Sequence, residues 1–287
     1  MYRVVVLDAS PVLGAAARFF SRVLAHHTQR GQLVTYKLKH QLEEHNGELI
    51  IPHKARVKFR GKYQSLPVDI PSAQAQEALW FNIQMTYGKE GVHRDHRQTS
   101  SHHRSLGEIL ANTLQGKLAE FAAYQGARNL GKEVSYPDLS VTGLGTWDSG
   151  DLEIDGENVS VKSAKHFSNA LLLEVAHWDD KGLYIPDNQR KPYDYFLFVR
   201  VQLSEELRNW HKFPFSHDAT PKEIYKQLLP LLDPPVLCDI VGQLKHGIFR
   251  AHVIRNHQIV KQGANFHKRR MDVSNYYVLA ADLWRYK

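Results

Sequence analysis

The sequence predicts an α/β fold with a central mixed β-sheet flanked by helices. Three observations predict it: a helix-periodic segment opening at Leu106, a hairpin pattern turning at Asp155-Gly156, and a near-continuous apolar strand from Tyr193 to Val201. Helix, hairpin and long strand in that order call for a sheet layered with helices. The composition, 43% hydrophobic and 23% charged over 287 residues, is that of a packed core rather than a disordered chain. The length accommodates one large domain or a core with an added lobe.

The helix begins with a capping box, Ser105 and, three residues on, Glu108. Leu106, Ile109, Leu110, Leu114, Leu118, Phe121 and Ala122 follow at roughly helical spacing. Gly116 weakens the middle and allows two consecutive helices, and Asn129-Leu130-Gly131 reads as a stop. Leu152 and Ile154 form one hairpin arm, Val159 and Val161 the other. The Tyr193–Val201 strand carries apolar residues at nearly every position, which implies burial on both faces at a sheet centre.

Upstream, Tyr2–Leu7 reads as a strand, Val12–Ala25 as a helix, and Leu33–Leu38, Glu48–Pro52 and Ala55–Phe59 as short alternating segments. The polar, histidine-rich run His93–Arg104 reads as an exposed connector. Residues 1–105 are therefore expected to form an N-terminal recognition or dimerisation lobe, and residues 106–287 the core with a C-terminal extension. Beyond Val201, polar helical turns are interrupted by Pro214, Pro221, Pro230 and Pro234-Pro235, and Asn275–Ala280 is a last strand.

A net charge of +7, with 17 histidines besides, attracts polyanions, of which nucleic acid is the commonest. No apolar run approaches the ~20 residues of a membrane helix. Asp8 cuts the first apolar run too short for a signal sequence, so no membrane partner is expected. Cys238 is the only cysteine; an intrachain disulfide is excluded, and a reducing cytoplasm fits. P-loop, nucleophile-elbow, paired-cysteine and dinucleotide-glycine patterns do not occur.

The residues left to carry chemistry are carboxylates and a lysine. Phosphodiester hydrolysis needs a divalent cation, a water and stabilisation of developing charge. Mg²⁺ prefers carboxylate and carbonyl oxygens, and a nearby lysine can orient the water or balance the phosphate. Asp151 starts one hairpin arm and Lys162 lies on the other, so a turn at Asp155-Gly156 pairs Asp151 roughly with Ser160. Alternation then sets Ser160 and Lys162 on one face. Glu120 sits among Leu118, Ala119, Phe121 and Ala122, where a buried carboxylate needs a partner.

Gly116-Lys117-Leu118-Ala119-Glu120-Phe121, Gly150-Asp151 and Ser160-Val161-Lys162, in that order across roughly residues 106–203, resemble the PD-(D/E)XK nuclease family, which includes many type II restriction endonucleases. The resemblance implies a restriction-endonuclease-like sheet and Mg²⁺-dependent cleavage of double-stranded DNA, with Mn²⁺ able to substitute. It also implies a homodimer. By the same resemblance Asp151, Glu120 and the Val161 carbonyl would hold the metal, and Lys162 would act on the attacking water.

Ser160 departs from the family, which has Glu or Asp there. Three readings follow: Glu174 supplies the missing carboxylate, Glu120 and Asp151 suffice with waters, or the site is inactive. Pro137-Asp138 spells the family motif literally, and Asp148 is a further nearby acid. Asp151 is preferred because its interval to Lys162 suits one hairpin. Lys165, His166 and the run Lys268-Arg269-Arg270 are candidate DNA contacts. The competing readings are a catalytically inactive nuclease-fold DNA-binding protein and a repair, mobile-element or phage-defence nuclease.

Overall fold

The computed structural model describes residues 38–88, 105–140, 151–185, 193–209, 215, 219–232 and 234–287. The elements expected at Tyr2–Leu7 and Val12–Ala25, the 33–37 segment, the His93–Arg104 run, Asp148 and Gly150 lie outside these residues. In chain order the elements are β1 (Glu43–His45), β2 (Glu48–Ile50), β3 (Leu66–Ile70), α1 (Ser72–Tyr87), α2 (Leu106–Asn129), β4 (Leu152–Ile154), β5 (Glu157–Lys165) and β6 (Ala170–Glu174). There follow β7 (Tyr195–Val201), α3 (Glu205–Asn209), α4 (Pro221–Leu228), β8 (Val236–Lys245), β9 (Ile259–Val260), β10 (Asn265–Phe266), β11 (Arg269–Arg270) and β12 (Asn275–Leu279).

The main sheet is mixed, in the order β3-β8-β7-β5-β4. Only β5 and β7 run parallel; the other neighbours are antiparallel. A second, antiparallel sheet has the order β6-β12-β9, and a small third sheet joins β1, β2, β10 and β11. Among the described residues no helix is long and apolar enough to cross a membrane.

All seven residues of β7 are buried, as its apolar run predicts. Tyr195, Leu197, Val199 and Val201 face a core shared with α1, α2 and α4, while Phe196 and Phe198 face a second core shared with β6 and β12. Strand pleating sends alternate side chains to opposite layers, so a strand in this position is apolar on both faces, with the paired Arg200 as the charged exception in β7. The layers are thus helices, main sheet and second sheet.

Helix α2 starts on the predicted capping box: Ser105 Oγ accepts from the Glu108 N–H, and Glu108 returns an acceptor to the Ser105 N–H. It then runs unbroken for 24 residues, so Gly116 does not split it. Gly116 faces open space and loses no packing. Gly126 serves the interface instead. A Cβ there would lie 2.5 Å from Ile240 Cδ1, so its absence lets α2 settle against β8. Gly131, at φ +72°, follows the helix end.

Residues 66–87 do not stand apart from the core that follows. β3 pairs with β8 along the sheet edge. Val68, Ile70, Ala78 and Leu79 share one apolar cluster with Leu110, Leu114 and Leu118. A boundary at residue 105 therefore cuts through a single core, and Leu38–Lys287 forms one compact unit. Pro67 and Asp69 break the apolar alternation of β3, and α1 has no side-chain cap, so neither element announces itself locally. Ala55–Phe59 is likewise not a strand: His53–Ala55 is a 3₁₀ turn, and the chain beyond it is irregular.

That irregular chain is held by a buried ion pair. Arg200 on β7 and Asp239 on β8 have side chains 1% and 0% exposed. Arg200 Nε and Nη2 donate to the two carboxylate oxygens at 2.9 and 2.6 Å. Its remaining donors reach the carbonyls of Val57, Lys58 and Ser168 at 2.8, 3.1 and 3.3 Å. The Phe59 ring lies 5.5 Å from the guanidinium. All five guanidinium donors are engaged, which lets the charge remain buried.

Removing one partner of such a pair leaves an uncompensated charge, so Arg200→Ala is expected to lower unfolding stability by about 3–5 kcal/mol. The double variant Arg200→Met/Asp239→Leu is expected to stay well below wild type, because three carbonyls lose their donors. Urea unfolding checks both. A double variant with the wild-type midpoint would show that the pair does not anchor these loops.

Candidate active site

The hairpin that carries the site is built as its sequence predicts. Asp155 and Gly156 have φ of +52° and +75°, the left-handed pair of a two-residue turn. Leu152 opposes Val159, and Ile154 opposes Glu157. Extending that register by one residue sets Asp151 opposite Ser160. Leu152, Ile154 and Val159 face the helical layer. Alternation therefore puts Asp151, Ser160 and Lys162 on the other face, with Lys162 diagonal to Asp151 at roughly 7 Å between Cβ atoms.

β4 pairs only with Glu157–Val159, so among the described residues that edge of β5 has no strand neighbour beyond Ser160. The Asp151 carboxylate closes the start of that edge. Its Oδ2 accepts from the Val161 N–H at 2.6 Å and from the Ser160 hydroxyl at 3.2 Å. A strand residue points its N–H and C=O to the same side, so the Val161 carbonyl also projects toward Asp151. Ser160 is fully buried and holds the carboxylate in place.

Glu120 approaches this edge from α2. Burial pushes its carboxyl up to about 8, opposed by Lys117 and reinforced by the nearby charges of Asp151 and Asp138. Lys117 Nζ lies 2.6 Å from Glu120 Oε2 and donates to the Asp138 carbonyl at 2.9 Å, with its ammonium 4.9 Å from the Phe81 ring centroid. Two acids of the predicted set thus gather with Asp138 from the literal Pro137-Asp138, which the hairpin argument sets aside. Lys117 was not among the predicted residues. Its i, i+3 spacing from Glu120 was the available signal.

Lys162 lines a cleft of about 1060 Å³ between α2, β6, α3 and the β10–β11 hairpin. Glu174 lies on the β6 wall of the same cleft. It ends a strand rather than occupying a helix, pairs in register with Asn275, and sits 3.8 Å from His177. The structure does not bring it to Asp151 or Glu120. Lys165, Arg269 and Arg270 line the cleft too. His166 instead packs against Phe59 and Phe167, with burial lowering its pKa, and it is not among the residues lining this cleft. Lys268 occupies the hairpin turn at φ +61°, outside the cleft lining. Arg208, on the cleft wall, was not singled out from the sequence.

Among the described residues no group of three or more His, Cys, Asp or Glu side chains is placed to share a metal. Mg²⁺ does not require one, since it keeps several waters and takes one or two carboxylates. Glu120, Asp151 and the Val161 carbonyl are oxygen donors of the type a hard cation accepts, and two adjacent carboxylates, one of them kept protonated by burial, gain from a positive partner. The donor set therefore fits.

The raised Glu120 pKa has a consequence for stability. Between about 4.5 and about 8 the folded state holds this proton and the unfolded state does not, so the contribution of Glu120 falls as pH rises through that window. Glu120→Gln, which mimics the protonated acid, is expected to gain stability relative to wild type from pH 5 to pH 8.5. Millimolar Mg²⁺ is expected to stabilise wild type more at pH 8.5 than at pH 6, and the variant little at either. Thermal melts test this; parallel pH profiles for the two proteins would exclude a strongly shifted Glu120.

No protein-family model, no curated protein and no solved structure matches this chain, so the functional reading rests on the geometry of these residues.

Proposed function

We propose that this chain is a metal-dependent endonuclease hydrolysing phosphodiester bonds of double-stranded DNA, in the manner of a type II restriction enzyme. The observation that carries this reading is the pair Glu120 and Asp151, two carboxylates in electrostatic contact beside β5 where its pairing with β4 ends, with Lys162 two residues beyond Ser160 on the same face. In this reading Glu120, Asp151 and the Val161 carbonyl hold Mg²⁺, or Mn²⁺ in its place. The metal supplies Lewis-acid stabilisation and a more acidic water. Lys162 faces the cleft that admits substrate and orients the nucleophile or balances the phosphate. Ser160 positions Asp151 through its hydroxyl and is not itself a strong ligand for a hard cation. Homodimeric assembly and a cytoplasmic setting belong to the same proposal, as do repair, mobile-element or phage-defence roles for the same chemistry.

A second reading has its own observation. Asp151 Oδ2 is already engaged by two donors, and the position beside it is a buried serine. A nuclease fold that binds DNA without cutting it has this appearance.

Plasmid cleavage with Mg²⁺ or Mn²⁺ separates the readings. Wild type is expected to nick or linearise DNA, with Lys162→Ala and Asp151→Asn reduced by at least ~10²-fold, the scale of losing a positioned acid–base group. Glu174→Gln is expected to retain most activity at limiting Mg²⁺, because among the described residues Glu174 does not form a metal-holding group with Glu120 and Asp151. Equal behaviour of wild type and Lys162→Ala would refute the catalytic reading. A large loss in Glu174→Gln would return that residue to the metal site.

A further inference from the structure

Three cations from three separate elements line the same cleft: Lys165 at the end of β5, Arg208 on α3 and Arg269 on β11. They lie close enough that Arg269 and Arg208 both disfavour the charged form of Lys165, after burial itself. Among the described residues none of the three side chains forms an ion pair or a hydrogen bond. Arg208 Nε is buried with no acceptor. The carboxylates Glu108, Glu174, Glu205 and Asp272 also line the cleft. Like charges gathered in a partly buried site cost free energy, and an unsatisfied guanidinium N–H adds to that cost. A group with several anionic acceptor oxygens relieves both.

We propose that Lys165, Arg208 and Arg269 form a phosphate seat, distinct from the reacting site, that holds one backbone phosphate of the bound DNA strand. The proposal rests on the DNA-cleaving reading for the identity of the strand. Lys165 lies three residues along β5 from Lys162, on the opposite face of the strand, yet both line the cleft at its edge; the backbone rise between them, on the order of 10 Å, is the axial span of about three nucleotides of one strand. A phosphate held there fixes the register of the strand past Lys162 and carries no sequence information itself. A free phosphorylated small molecule offers the same oxygens. The strand is favoured because the cleft that holds the seat also takes in Lys162 and residues of α2 and β6, more space than one phosphate fills.

Fluorescence anisotropy with a 20-base-pair duplex in EDTA, at several KCl concentrations, tests the seat without cleavage. Each phosphate contact contributes about −0.9 to the slope of log affinity against log salt. The triple variant Lys165→Gln/Arg208→Gln/Arg269→Gln is therefore expected to lose about one unit of slope and about tenfold in affinity. Arg208→Lys should keep the slope. Arg269→Gln alone, at an exposed hairpin position, should weaken binding several-fold and carries the test if the triple variant does not fold. Thermal melts with inorganic pyrophosphate form the second arm. Duplex binding lost with no pyrophosphate effect supports the strand. A pyrophosphate shift lost in the variant, with duplex binding intact, overturns it in favour of a small phosphorylated ligand. Unchanged slope and affinity in the variants overturn the seat altogether, as does a wild type that binds no duplex. A wild type that binds through the seat but never cuts with Mg²⁺ or Mn²⁺ leaves the seat standing and removes the endonuclease reading. Cleavage with unaltered variants does the reverse.

Discussion

The buried pair of Arg200 and Asp239 is the constraint from which the rest of the architecture follows. β7 and β8 run side by side at the centre of the main sheet, and each carries one charge into an apolar layer. Neither charge is tolerable alone. Together they leave three guanidinium donors over, and those donors reach the carbonyls of Val57, Lys58 and Ser168. The irregular chain around residues 56–60 and the turn after β5 are therefore fastened to the sheet centre by one side chain. Asp239 also accepts from the Arg60 N–H, which tightens the same junction. Val57 donates in turn to the Asn169 side chain, so the start of β6 is set by the same cluster.

This matters for the site because the turn after β5 separates Lys165 from β6, and those two elements form facing parts of the cleft. The hydrogen bonds of this junction therefore fix where β5 leads into β6 beside the cleft. Positioning elements that do not move is what a reaction dependent on geometry needs, since small displacements of a catalytic group are costly. Scaffold and candidate site are thus joined through residues outside the proposed metal and substrate positions.

The candidate site itself arises from a mismatch of strand lengths. β4 covers only the first part of β5, and among the described residues no other strand pairs with β5 on that side from Val161 onward. Asp151 supplies a side-chain oxygen where the ladder ends, and α2 delivers Glu120 to the same edge. A buried carboxyl shifted to about 8 beside an ionised neighbour is unfavourable for stability, and such arrangements concentrate at functional sites. Ser160 fits this picture as a positioning group, since its hydroxyl bonds Asp151 rather than facing solvent.

The sequence by itself determined the local features whose causes are local. The Ser105–Glu108 box started α2, Asp155-Gly156 turned the hairpin at the expected pair, and near-continuous apolar character marked β7 as central. The relation of Asp151 to Ser160 and Lys162 followed from register alone, because strand pairing has a period of two and admits little slippage on a half-buried face. Only the tertiary structure decided the features that depend on contacts remote in sequence. Asp239 made β8 hard to recognise as a buried strand, because its partner lies on another strand. Pro67 and Asp69 hid β3, whose place is decided by β8. Glu174 went to a second sheet because β12 pairs with its strand. The convergence of Lys165, Arg208 and Arg269 has no local pattern at all, since three elements far apart in the chain meet only when the layers close.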